Sequence, residues 1–351
     1  MAATFLVTSE ALADSNYADR RLLRTHYTTS AESEERASNT VTSSVSAGTE
    51  VWAVEGVAHS ILYYLDASSI SAFVNIIQAT TKLREYLQDS ELWAKLSELH
   101  FGGLRDPALR VERCSTQSRS WSVGNRKLAC VELDEFMQSL DDWKRFDDTV
   151  TIVEGDVGRI NNINDTPLDG IAFPTSSYLV NPHIGAASVV FRRAGHGLDR
   201  FVSEQSFREG LANGAGWLPV GSAVVTPGFD TGVEKLIHCV GPSVGTVNCY
   251  ELLSQTYTSV LNCAVNENLQ CIAMVSISTG NLGVPCVKGA QVALRTLQKF
   301  LVTSHWEGKL AVVCNDTSVM QAFTDEKTVL LKGFNIVPPL PATEAAGRWF
   351  S

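Results

Sequence analysis

The chain should fold as a three-layer α/β/α domain over residues 149–330, preceded by a small all-α segment over residues 51–100. From Thr149 onward, unbroken runs of Val, Ile, Leu and Ala alternate with helical stretches. Strands apolar on both faces need cover on both sides, which gives a sheet sandwiched between helices. Between Val51 and Leu99 the apolar residues recur instead at helical spacing. Upstream, Thr28 to Thr49 reads TTSAESEERASNTVTSSVSAGT and has too little apolar surface to offset its ordering entropy. The expected organisation is therefore a disordered leader at 1–50, the helical segment at 51–100, a connector at 101–148, the α/β domain at 149–330 and a tail at 331–351.

At 351 residues, 44% of them hydrophobic, the chain suits one large or two ordinary domains with a sizeable core. A formal charge of −10 argues against a large basic surface, so no nucleic-acid partner is expected. The eight cysteines are scattered without CxxC spacing, and several sit in apolar runs such as Ile237-His238-Cys239-Val240. They read as reduced core residues of a cytoplasmic or nuclear protein, with no disulfide or metal framework. No apolar stretch approaches the ~20 residues that cross a bilayer, and Met1 to Asp14 lacks a basic segment followed by an apolar one. No membrane partner is expected.

The leader is either a plain tether or a phosphorylated regulatory tail. After it, Ile61, Leu62 and Leu65, then Ile70, Phe73, Val74, Ile76 and Ile77, then Leu83, Tyr86 and Leu87, then Leu92, Trp93 and Leu96 mark three or four short amphipathic helices. Asp66 and Ser68 offer caps to the second helix, and Asp89 or Ser90 to the last. About fifty residues make a marginal unit without a neighbour to lean on. Over Val54 to Leu96 the arrangement I-L-x-Y-L-D-x-x-x-I, a polar-apolar helix, then L-x-D-S-E-L-W-x-x-L is similar to an F-box. Here Val54-Glu55 and Ile77-Gln78 replace that family's Leu-Pro and Val-Cys. The resemblance implies docking on a Skp-type adaptor and recruitment of a cullin ubiquitin ligase. The alternative is a helical cap packed on the following domain. In the connector, the stretch CSTQSRSWSVGNRK is followed by an amphipathic helix at Leu133 to Leu140 and by Asp141-Asp142-Trp143.

The α/β domain then reads in order: strand VTIVEGD; strand GIAFPTSS; a helix at Ala186 to Ala194; strands AVVTPGF and KLIHCVG; a helix at Glu251 to Asn266; strand CIAMVSIST; a helix at Val287 to Leu301; strand KLAVVCND. Three strand ends carry unusual residues. Ser276-Ile277-Ser278-Thr279-Gly280-Asn281-Leu282-Gly283-Val284-Pro285 leads into a helix, and small residues with successive N–H groups ahead of a helix form a nest suited to a diphosphate or simply a tight turn. Glu154-Gly155-Asp156-Val157 puts a carboxylate at a strand terminus, where it accepts from an adenine amino group or caps a turn. Asn315-Asp316 supplies planar polar groups at a third end.

Taken in order, G-D-V, V-G-S-A-V-V-T-P-G-F, K-L-I-H-C-V-G-P, S-I-S-T-G-N-L-G-V-P and V-V-C-N-D resemble the signatures of the macro domain over about half the chain. That resemblance implies a central mixed sheet and a site for ADP-ribose or ADP-ribosylated protein. It implies that Asp156 recognises the adenine amino group with Val157 against the base. Ser278, Thr279, Gly280, Asn281 and Leu282 would wrap the diphosphate, and Asn315 would flank the adenine. Gly185, Ala186, Ala187 and Ser188 would form the other jaw.

Where many macro domains have N-A-A-N and a glycine run followed by V-D-G, this chain has Phe173-Pro174-Thr175-Ser176 and Pro182-His183-Ile184-Gly185-Ala186-Ala187-Ser188. The Asn that holds the distal ribose becomes Ser176, and the acidic residue that helps activate water becomes Ala187. An alanine takes no proton, so the expected activity is binding without catalysis or cofactor. The alternatives are an ADP-ribosyl hydrolase or O-acyl-ADP-ribose deacylase in which Ser176, His183 or a group of the substrate orients water, and a macro fold without ligand. His183 either takes the place of that acidic residue, as a residue type suited to acid/base work, or is a surface feature of its loop; His238, in an apolar strand, reads as a core residue.

Overall fold

The computed structural model describes residues 57–79, 81–109, 122–123, 126–127, 129–181 and 183–342. The leader at 1–50, Val54-Glu55, Cys114, Pro182 and residues 343–351 of the tail lie outside the described residues, as does most of the Ser- and Arg-rich stretch of the connector. The described residues divide between two compact units, one ending at Leu92 and the other beginning at Trp93.

The first unit holds α1 (Val57–Tyr64), α2 (Ala67–Ala79), a 3-10 helix (Thr81–Gln88) and the start of α3 (Ser90–Phe101). In α2, Ile70, Phe73, Val74 and Ile77 are buried, one apolar stripe at helical spacing. Asp66 caps α2: its Oδ1 accepts from the amides of Ser68 and Ser69 at 2.9 Å, and its Oδ2 from the Ser69 hydroxyl at 2.8 Å. Ser68, also expected as a cap, is thus a residue whose amide is capped. Asp89 caps α3 through the Leu92 amide at 2.9 Å.

In the second unit α4 (Val131–Thr149) runs on well past Leu140, with Asp141-Asp142-Trp143 inside it. Its buried Asp142 pairs with buried Arg105, and the indole of Trp143 donates to the Leu331 carbonyl at 3.0 Å. Directly after α4 comes β1 (Val150–Glu154), and β2 (Gly170–Pro174) follows a loop containing the small hairpin Asn162–Ile163/Thr166–Pro167. Next are α5 (Gly185–Ala194), α6 (His196–Ser203), β3 (Ala223–Pro227), β4 (Lys235–Cys239), α7 (Cys249–Asn266), β5 (Cys271–Val275), α8 (Cys286–Thr303), β6 (Lys309–Cys314) and α9 (Thr317–Lys332).

The six strands form one mixed sheet in the order β1-β6-β5-β2-β4-β3. Neighbours from β1 to β4 pair parallel; only β3 runs antiparallel, against β4. The turn between β3 and β4 explains the exception. It is too short for a crossover, and the Gly228 amide closes it on the Glu234 carbonyl at 2.9 Å. Every residue of β5 is buried, as expected for a strand covered on both faces. Ile171 and Phe173 of β2, Ala273 and Val275 of β5 and Ala311 and Val313 of β6 pack in one core cluster with Val190 and Phe191 of α5. The alternating residues, such as Ile272, Met274 and Val312, form the second face.

All six expected strands are present, each starting where its run starts and ending two to four residues before it does, and the three expected helices begin one or two residues early. Helices α6 and α9 go beyond the sequence pattern. Asp316 starts α9, its Oδ1 accepting from the Ser318 amide at 2.8 Å. The Asn315-Asp316 pair, expected as planar polar groups at a strand end, is thus also a helix start.

Candidate functional site

Because β1, β6, β5 and β2 are parallel neighbours, their carboxyl ends lie side by side on one edge of the sheet. That edge is where open α/β sheets gather ligands. It carries Asp156 beyond β1, Asn315 beyond β6, the glycine-rich loop beyond β5 and Ser176 beyond β2.

The loop from Ser276 to Pro285 is braced from within. Tyr257 of α7 accepts the Ile277 amide on its hydroxyl at 2.9 Å, the Ser278 carbonyl accepts the Val284 amide at 3.0 Å, and the Gly280 carbonyl accepts the Gly283 amide at 2.9 Å. The Leu282 carbonyl takes the Val244 amide at 2.9 Å. Burial pushes the Tyr257 phenol well above its ordinary range, so it remains a neutral hydroxyl. Yet among the described residues none of the five amides from Ser278 to Leu282 finds an acceptor within the chain. Ser278 adopts a left-handed φ of 65°, and its hydroxyl, on a side chain 4% exposed, is also without a partner among them. Ser278 is buried, Thr279 and Leu282 are half-buried and Gly280 and Asn281 are exposed, and donors left unpaired away from water cost free energy. A run of them is an anion-binding concavity.

Opposite stands the start of α5. Gly185, at φ 63°, lies so near the loop that a Cβ on it would stand 3.7 Å from Asn281 Nδ2. The Ser188 hydroxyl donates to the Gly185 carbonyl at 3.0 Å. Ala186 is half-buried and Ala187 is 2% exposed, packed into the core cluster. Ser176 is exposed, with only a 3.4 Å contact from its hydroxyl to the Val180 carbonyl. His183 is exposed at φ 58°, its amide donating to Asn181 Oδ1 at 2.9 Å.

Beyond β1, Asp156 is half-buried and its Oδ1 accepts the Gly158 amide at 2.8 Å. Among the described residues its Oδ2 faces only Arg159, 3.7 Å away on a side chain 88% exposed. Val157 is 3% exposed and turned into the core beside Ala187 and Val190. Asn315 is exposed at the end of β6. Beside it the Thr317 hydroxyl donates to Glu154 Oε1 at 2.8 Å, tying α9 to the end of β1.

One residue at this edge escaped the sequence. Arg193, in the last turn of α5, donates to the carbonyls of Ile160 and Thr231 at 2.8 Å each, to Asn161 Oδ1 at 2.6 Å and to the Val157 carbonyl at 3.4 Å. No pattern marks such a residue, because its acceptors are mostly backbone atoms of two distant loops. His238 lies away from the edge, fully buried between Phe173 and Phe191, with Nε2 3.0 Å from the Thr226 hydroxyl and Nδ1 unpartnered among the described residues. Burial holds its pKa down at about 3.

The family model of the macro domain matches residues 177–293. The α/β domain is thus similar to a macro domain. The matched segment takes in the α5 jaw and the glycine-rich loop, and its sheet is the mixed one described above. Among curated proteins, the chain is similar to a protein-ADP-ribose hydrolase of Treponema medium, 36% identical over 83 residues, 23% of this chain and 32% of that protein. It is also similar to an O-acetyl-ADP-ribose deacetylase of Citrobacter rodentium, 32% identical over 110 residues, 31% of this chain and 62% of that protein. The alignments thus span less than two thirds of either relative. Among solved structures, the macrodomain of Oceanobacillus iheyensis with MES bound is 25% identical, with a TM-score of 0.48 over 53% of this chain and 94% of that one.

Proposed function

We propose that the macro domain binds ADP-ribose, free or attached to protein, and does so as a reader without hydrolytic activity. The observation that carries this is the row of five amides from Ser278 to Leu282, held without internal acceptors opposite Gly185. A diphosphate supplies the acceptors those amides lack. Asp156, with Oδ2 left open, takes the adenine amino group, Val157 supports the base from the core side, and Asn315 flanks it. Ser176 and the turn Gly185-Ala186-Ala187-Ser188 enclose the distal ribose. Calorimetric titration of ADP-ribose into the full chain tests the reading. We expect saturable micromolar binding; no heat at millimolar ligand would leave a macro fold without this ligand.

The names of the two curated relatives favour a second reading, an ADP-ribosyl hydrolase or O-acyl-ADP-ribose deacylase. It would need Ser176 or His183 to orient water, since Ala187 offers no carboxylate. Turnover of a mono-ADP-ribosylated peptide, lost in His183→Ala, would establish it.

For the helical segment we propose an F-box role: docking on a Skp-type adaptor, so that a cullin ubiquitin ligase in the cytoplasm or nucleus acts on ADP-ribosylated proteins. The helices α1, α2 and α3 with their Asp66 and Asp89 caps support it. Failure of the chain to co-elute with a Skp-type adaptor on size exclusion would sink it.

A further inference from the structure

We infer that Arg193 is the positioning residue for adenine selectivity: from α5 it fixes the loop that presents Asp156. The inference rests on the ADP-ribose reading of the site. Loop 155–161 leaves β1 with no regular structure of its own until the hairpin at Asn162. Two things hold it. One is apolar: Gly158 lies so close to α5 that a Cβ on it would stand 3.1 Å from Val189 Cβ. The other is Arg193, whose fork takes the carbonyls of Val157 and Ile160 through Nη1 and the Asn161 amide oxygen through Nη2.

The fork does more than stitch one loop. Its Nε donates to the Thr231 carbonyl in the turn between β3 and β4, so the guanidinium is clamped from both sides. Its partners are all neutral oxygens, which means the charge is spent on holding backbone rather than on pairing with an acid. A lysine offers no such planar fork, and a neutral side chain leaves carbonyls of a half-buried loop unpaired. Helix α5 thereby carries both sides of the cleft, Gly185 at its first turn and the Asp156 loop at its last. A bound adenine meets a carboxylate whose Oδ1 is fixed on Gly158 and whose Oδ2 is aimed by a loop that cannot swing.

The readout is base selectivity, which a purely structural residue would not change. Adenine donates from its 6-amino group, whereas hypoxanthine presents a 6-oxo group that a carboxylate repels. A charge-assisted bond of this kind is worth roughly ten- to hundredfold in affinity. The full-length chain is titrated with ADP-ribose and with inosine diphosphate ribose, alongside Arg193→Met, Asp156→Asn and the double variant, each checked for folding by circular dichroism. We expect wild-type preference for adenine of that size, reduced at least threefold in Arg193→Met, and a double variant within about twofold of Asp156→Asn alone, as residues acting through one another require. Undiminished selectivity in Arg193→Met, or losses that multiply in the double variant, overturns the inference. Should the Met variant fail to fold, Arg193→Lys, which keeps the charge but not the fork, takes its place: reduced selectivity supports the inference and undiminished selectivity overturns it. A wild type that binds neither ligand overturns the ADP-ribose reading and this inference with it; a wild type that binds both equally overturns the inference alone.

Discussion

His238 makes the α/β domain sensitive to acid in a way that can be worked out from its surroundings. In the unfolded chain it titrates at 6.5; in the fold, buried against Phe173 and Phe191, it titrates at about 3. Between those values the unfolded chain binds a proton that the folded one refuses, so stability rises with pH through this window and is lost as pH falls below 6.5. From pH 7.5 to 4.5 the loss amounts to roughly 2–3 kcal/mol from this side chain alone. Carboxylates also titrate in this range, so the comparison that isolates the imidazole is His238→Leu, similar in volume and unable to take a proton. Urea unfolding of both proteins at pH 7.5 and 4.5 should show the wild type losing about 2–3 kcal/mol more than the variant over that interval. Equal losses would refute the reasoning, because they would mean that the folded site accommodates the charged ring.

Asp156→Asn keeps an acceptor for the Gly158 amide but turns the open oxygen into a donor facing the adenine amino group; ADP-ribose affinity should fall about ten- to hundredfold by calorimetry, with the melting temperature little changed. At Gly185, φ 63°, valine adds about 1–3 kcal/mol of backbone strain and pushes methyls toward Asn281, so Gly185→Val should weaken ADP-ribose binding at least tenfold while the chain still folds. Asp66→Ala should destabilise α2 by about 0.5–2 kcal/mol, seen as faster amide exchange across the first unit. Burial would raise the Asp66 carboxyl, but the amide and hydroxyl of Ser69 and the amide of Ser68 hold it below its ordinary value of 3.8. The cap therefore acts in full above that pH and is lost as pH falls through its folded value, and exchange rates should record that loss in the wild type only.

The strands of the α/β domain are legible in the sequence because each is a short, mostly apolar run, buried on both faces in β2, β4, β5 and β6 and partly buried in β1 and β3, a pattern that no helix of that length needs. Helix α9 is not, because Thr317–Lys332 follows Asn315-Asp316 with no break and mixes polar and apolar residues without a strong stripe. The single antiparallel strand follows from the short 228–234 turn, visible only once β3 and β4 are known to pair. In the site, the glycine-rich loop announces itself through its composition. The facing of Gly185 and Asn281, nearly one hundred residues apart in sequence, does not, since it depends on where α5 starts. Val157 and Ala187 show a subtler limit: their places in the loops are readable, but their side chains turn into the core cluster.

What the site offers a ligand also bears on whether it does chemistry. Its strongest recognition elements are backbone amides, which bind a diphosphate equally well before and during any reaction at the distal ribose. Binding of that kind lowers the energy of the bound state without lowering the barrier above it. Catalysis would have to come from the other jaw, where Gly185, Ala186, Ala187 and Ser188 supply one hydroxyl, already donated to Gly185, and no group that titrates. His183 precedes that jaw, exposed, its backbone held by Asn181 and its ring, among the described residues, free of any partner that would fix a tautomer. A ring so placed lacks the orienting second group that makes a histidine an effective base. On the proposed reading the amides of the loop account for holding a diphosphate, and any chemistry at the distal ribose falls to groups outside that loop.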